Sequence, residues 1–130
     1  SSDAHLDARA ALRAVAELEE HAADELEHAG KLVKRMIELG GTPLLSPEDW
    51  MKAGVCGYHA PKDPAVQPIL KQNIEGEQCA IEFYQKLIDM VRGKDDITYN
   101  LALEILEDEV EHEEDLQAIL EDLSMMKKQL

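Results

Sequence analysis

Three stretches of this chain carry an apolar stripe at helical spacing, and each stripe is interrupted near its middle by one carboxylate. The first reads Val15, Leu18, Ala22, Glu25, Ala29, Leu32, Met36. The second reads Leu70, Ile74, Glu77, Ile81, Tyr84, Ile88, Val91. The third reads Ala102, Leu106, Glu109, His112, Leu116, Leu120. Spacings of three and four mark helix faces that pack together. An ionised carboxylate in such a seam is costly unless a charge compensates it. No Lys or Arg occupies these seams, and three carboxylates meeting at one level also repel one another.

The breaks between stripes define the elements. Residues 3–39 contain no Pro and a single Gly, Gly30, and are rich in strong helix formers. Gly40-Gly41-Thr42-Pro43 is a stop signal. Ser46-Pro47-Glu48-Asp49 starts a short helix, which Gly54, Gly57 and Pro61 curtail. Asp63-Pro64 opens a long helix to about Val91, with an irregular first turn at Pro68. Asp95 or Asp96 caps a last helix that reaches about Leu123. No β-alternation is present, so the fold class is all-α within one domain spanning residues 1–130.

Composition excludes several classes of function. The formal net charge is −15, which opposes nucleic-acid phosphates and anionic membranes. No apolar run reaches the roughly 18 residues of a spanning helix, and no secretory signal is legible. A cytoplasmic location is expected. The acidic run Glu104–Asp115 holds eight acids in twelve residues and, Glu109 apart, reads as a solvated face. Two cysteines, Cys56 and Cys79, do not make a secreted disulfide framework. Inert thiols, a redox pair and metal-linked thiols all remain open for them on spacing alone.

The histidines resolve the seam carboxylates. His28 follows Glu25 by three residues, and His112 follows Glu109 by three. Side chains so spaced project about 60° apart and reach one metal ion. A single Glu-x-x-His is weak, but two, each with its Glu inside an apolar seam, together with Glu77 in a third seam, are not. Paired Glu-x-x-His on two helices with a single Glu from the others is the carboxylate-bridged di-iron arrangement of four-helix bundles. Carboxylate and imidazole without thiolate suit Fe or Mn, with Zn as a substitute. Glu25, His28, Glu77, Glu109 and His112 are therefore the expected metal ligands and catalytic residues. His5 and His59 are read as non-ligands. His21, one turn before Glu25, is at most a supporting residue, and Tyr84 and Tyr99 are read as core packing.

These residues resemble the ferritin-like superfamily. Glu25-Leu26-Glu27-His28-Ala29, leading to Ile37-Glu38-Leu39-Gly40-Gly41-Thr42-Pro43, is similar to the second bundle helix of bacterioferritins and Dps-like proteins. Glu104-Ile105-Leu106-Glu107-Asp108-Glu109 with His112 is similar to their last helix. Glu77-Gln78-Cys79-Ala80-Ile81 with an upstream Cys56 resembles the thioferritins, or Dps-like (DPSL) proteins.

The resemblance implies a ferritin-like four-helix bundle with a short extra helix in the crossover loop. It implies two iron ions per subunit, held by the five residues above. It also implies Fe(II) oxidation with hydrogen peroxide or O2 and ferric storage in a homo-oligomeric, dodecameric cage that protects against oxidative stress. Neither direct nucleic-acid binding nor a membrane partner is expected. Glu25 and Glu109 are the implied candidates to bridge the irons. Cys79 lies about 200° round the helix from Glu77, so the resemblance gives it a disulfide or electron-donor role with Cys56. The family has a further helix, carrying a sixth ligand, before the one that opens this chain. With Ser1 in place of an initiator Met, the domain is expected to be N-terminally incomplete. The alternatives are a rubrerythrin-like di-iron peroxidase without storage, or a non-enzymatic acidic bundle that binds a partner helix.

Overall fold

The structure is a computed structural model that describes residues 2–42, 56, 62–63 and 65–128. Among these it contains three long helices and no strand: α1 (Ser2–Glu38), α2 (Val66–Val91) and α3 (Asp96–Lys128). The fold is all-α, as expected. The short helix expected from Ser46 lies outside the described residues. Among the described residues no helix is long and apolar enough to cross a membrane.

The helix ends follow the local chemistry. At the end of α1 the N–H of Gly40 donates to Ile37 O and that of Gly41 to Met36 O, both at 2.9 Å. This is a Schellman closure, and it needs the left-handed backbone that Gly40 supplies at φ 83°. Asp63 does not cap α2 directly. Its Oδ1 accepts the N–H of Ala65 at 2.9 Å, and the helix begins one residue later. Asp95 is the cap of α3: its Oδ1 accepts the Thr98 N–H at 3.0 Å and its Oδ2 accepts the Thr98 hydroxyl at 2.5 Å. Arg35 of α1 reaches across, with Nη2 donating to both Asp95 oxygens (2.9 and 3.0 Å) and Nε to Thr98 Oγ1 (2.9 Å). Thr98 and Arg35 together hold the Asp95 carboxyl down at about 2.

That clamp is the first rung of a ladder that sets the register of α1 against α3. Below it come Lys31 with Glu104, His28 with Asp108, His112 with Asp24, and Arg13 with Asp122. Numbers fall along α1 as they rise along α3, so the two helices run antiparallel. The register sets Glu25-x-x-His28 opposite Glu109-x-x-His112.

The apolar core brackets this level. On one side lie Ala14, Leu70, Ile74, Leu116 and Ile119, with Leu18, Val66 and Leu120 packed against them. On the other lie the buried Ile88, Ala102 and Ile105. The α2 and α3 stripes are buried or half-buried, as their spacing indicated. The α1 stripe straddles the edge of the buried face, with Leu18 and Leu32 half-buried. Its buried face runs through Ala10, Ala14, His21 and His28, while Val15, Ala22, Ala29 and Met36 are exposed. The neighbouring Leu12 and Leu26 are 71% and 76% exposed, so α1 carries a second apolar face that no described helix covers.

Candidate metal centre

Each ligand predicted from sequence sits in the bracketed layer, and the three helices bring all five together. Glu25, Glu77, Glu109 and His112 each offer an atom within 4.8 Å of the others. His28 joins them through Nδ1, which lies 3.2 Å from Glu109 Oε1 and 3.8 Å from Glu25 Oε2. His112 Nδ1 lies 3.5 Å from Glu25 Oε1, 3.7 Å from Glu77 Oε1 and 3.9 Å from Glu109 Oε2.

The distances sort the carboxylates by position. Glu25 and Glu109 each turn one oxygen to His28 and the other to His112. They therefore span two lobes, as carboxylates bridging two ions would. Glu77 stands on the His112 lobe alone. Among the described residues the His28 lobe has no counterpart to Glu77, so the arrangement is one carboxylate short of two-fold symmetry.

Both histidines are held from behind. His28 Nε2 donates to Asp108 Oδ2 at 2.6 Å, and His112 Nε2 donates to Asp24 Oδ2 at 2.8 Å. A carboxylate only accepts, so each Nε2 carries a proton, and in the neutral imidazole Nδ1 is the nitrogen that offers a lone pair to the centre. The pairing is reciprocal: the Asp beside one Glu anchors the histidine of the opposite helix.

The electrostatics show a site short of positive charge. His28 Nδ1, His112 Nδ1, Glu77 Oε2 and Glu109 Oε1 are buried without a hydrogen-bond partner. The 3.2 Å approach of His28 to Glu109 is misaligned for one. Burial, followed by neighbouring glutamates, pushes the Glu25 and Glu109 carboxyls well above their ordinary range. Burial raises Glu77 as well. Burial together with Glu109 and Glu25 pushes the Tyr84 phenol up to about 12, so it stands protonated beside the centre. Buried polar groups are nearly always paired. Four converging orphans of mixed oxygen and imidazole character fit divalent metal binding, which would lower every one of these carboxyls.

Sequence reasoning missed Asp24 and Asp108. The signal was present: Asp24-Glu25-Leu26-Glu27-His28 and Asp108-Glu109-Val110-Glu111-His112 share one pattern, Asp-Glu-x-Glu-His. It was hidden by the acidity of both segments.

The structure joins Cys56 and Cys79 in a disulfide, with Cα atoms 5.8 Å apart. The bond ties the segment before α2 to the helix face turned about 200° from Glu77. It closes a loop between residues 23 apart in sequence. On loop entropy alone, a Cys56→Ser/Cys79→Ser chain should lose about 3–3.5 kcal/mol of stability. Denaturant titration with and without reductant checks this, and an unchanged midpoint would show that the bridge constrains nothing.

Comparison with known proteins agrees with the geometry. Residues 4–126 match the ferritin-like domain family. The chain is 35% identical over 97 residues to the DNA protection during starvation protein of Pyrococcus furiosus, a match covering 74% of this chain. The chain spans about half the length of that curated relative, 52%. It also superposes on a dodecameric thioferritin, the bacterioferritin-related protein from Bacteroides fragilis, with a TM-score of 0.86 and 34% identity. That likeness covers 99% of this chain and 83% of the other. The chain belongs to the ferritin-like domain family, and within it to the Dps-like thioferritins.

Proposed function

We propose that this protein takes up Fe(II) as substrate at the paired centre, oxidises it with hydrogen peroxide, and stores the ferric product inside a homo-oligomeric cage of twelve subunits. The observation that carries the reading is the pair of glutamates, Glu25 and Glu109, each shared between the two histidine lobes. Two Fe(II) ions held side by side supply two electrons together. Peroxide takes both as its O–O bond breaks, and two protons complete two waters. One-electron reduction, with release of a hydroxyl radical, is avoided. Glu25 and Glu109 hold the pair, His28 and His112 end-cap it, and Glu77 completes the His112 lobe. Asp24 and Asp108 keep both imidazoles in the ligating form.

The reading includes a further bundle helix that presents a sixth ligand, a carboxylate, to the His28 lobe. The uncovered apolar face of α1 around Leu12 and Leu26, and the missing counterpart to Glu77, support it. The net charge of −15 suits a cytoplasmic cage that concentrates cations, and makes any protection of DNA chemical, without direct coating.

A Glu77→Ala variant tests the site. Residues behind metal ligands alone are worth about 10–100-fold. Loss of a direct ligand should therefore slow Fe(II) oxidation by at least roughly 100-fold, followed by ferric absorbance after peroxide addition. Wild-type rates in Glu77→Ala would remove the centre from the chemistry.

A further inference from the structure

His21 is buried and the centre described above does not need it. It lies one turn before Glu25 on α1, and its ring stacks on His112 with centroids 4.0 Å apart and planes inclined by 16°. Its side chain is only 7% exposed, yet neither ring nitrogen has a hydrogen-bond partner. A fully bare buried imidazole is rare in a native protein.

Two carboxylates face it. Glu17 Oε2, one turn back on α1, lies 3.5 Å from His21 Nε2, and Asp115 Oδ2 of α3 lies 4.0 Å from the same atom. Ligand atoms of Glu17, His21 and Asp115 lie within 4.8 Å of one another. These separations are too long or misaligned for hydrogen bonds. They are close to the spacing of two atoms on one ion, about 3–3.5 Å for bonds of about 2.1 Å. The carboxylates are half-open to solvent, with side chains 29% and 47% exposed, while the imidazole forms the buried floor.

We propose that Glu17, His21 and Asp115 form a further divalent-cation site on the flank of the paired centre. Two carboxylates and an imidazole, without thiolate, select Fe(II), Mn(II) or Zn(II). The two carboxylates open to solvent, and the buried His21 adjoins the centre. Ligand atoms of His21, Glu77 and His112 also lie within 4.8 Å of one another, so His21 links the flank to the centre. An ion bound here stands next in line for the His112 lobe.

Zn(II) soaked into crystals of the metal-free protein, located by anomalous scattering, tests this. The expected map has a peak among Glu17, His21 and Asp115. A Glu17→Gln/Asp115→Asn variant should lose that peak and keep those beside Glu77 and Glu109. In solution the same variant should bind one Mn(II) fewer per chain in an electron paramagnetic resonance titration. Peaks at the centre with none on the flank would overturn the flanking site and leave the paired centre standing. A flanking peak without centre peaks would do the reverse. Peaks at neither would overturn both. Loss of no Mn(II) in the double variant would also overturn the flanking site.

Discussion

A Glu109→Gln chain should be more stable than the parent when free of metal, and unable to oxidise Fe(II). Glu109 is 2% exposed and stands beside Glu25 and Glu77, with only the imidazoles of His28 and His112 near it to offset its charge. Its carboxyl is held well above the ordinary range by burial. The sign of the stability effect follows. Between the unfolded value, about 4.3, and the raised folded value, the native chain keeps a proton that the unfolded chain has lost. Metal-free stability is therefore full below the unfolded value and falls as pH rises through the folded one. Glutamine is neutral throughout, so Glu109→Gln removes this loss. Relief of one uncompensated buried group is worth about 1–3 kcal/mol. The difference between the two chains should be near zero at pH 4 and reach that size by pH 8. Denaturant titration of chelator-treated protein at both pH values checks it. A variant less stable than the parent at pH 8 would mean that Glu109 is already compensated. Saturating metal should reverse the order, since binding then stabilises the parent alone.

An Asp24→Asn/Asp108→Asn chain should fold normally and bind metal at the centre about 10–100-fold more weakly. Both aspartates are half-exposed, so their worth to the metal-free fold is at most about 1 kcal/mol. Their worth to the centre is larger, because each fixes which nitrogen of a buried histidine carries the proton. A loss of metal affinity without a loss of metal-free stability separates positioning from simple support. Unchanged Mn(II) affinity in the double variant would show that the Nε2 bonds do not govern the ligands.

Much of this was legible in the sequence. A seam carboxylate such as Glu109 is conspicuous because helical periodicity demands an apolar residue there. The double Glu-x-x-His pattern then converts three costly charges into one site. What periodicity does not give is which helix each face meets. The α1 stripe read from Val15 to Met36 straddles the edge of the buried face, because the register with α3 draws His21 and His28 inward and leaves Val15, Ala22 and Met36 outside. The aspartates were unreadable for a related reason. In a segment where most residues are acidic, composition does not mark out Asp108, and only the cross-helix register shows that it meets His28. His21 was passed over because no carboxylate precedes it by three. Its partners, Glu17 and Asp115, come from one turn back and from another helix.

The most direct test of the central claim is iron retention. Metal-free protein is given Fe(II) without oxygen, then hydrogen peroxide, then desalted, and iron is counted per chain. Retention of far more than two irons per chain, abolished in Glu77→Ala, is the expected result for a paired ferroxidase centre feeding a storage cage. Two or fewer irons per chain would contradict storage, and equal retention in Glu77→Ala would contradict the centre itself.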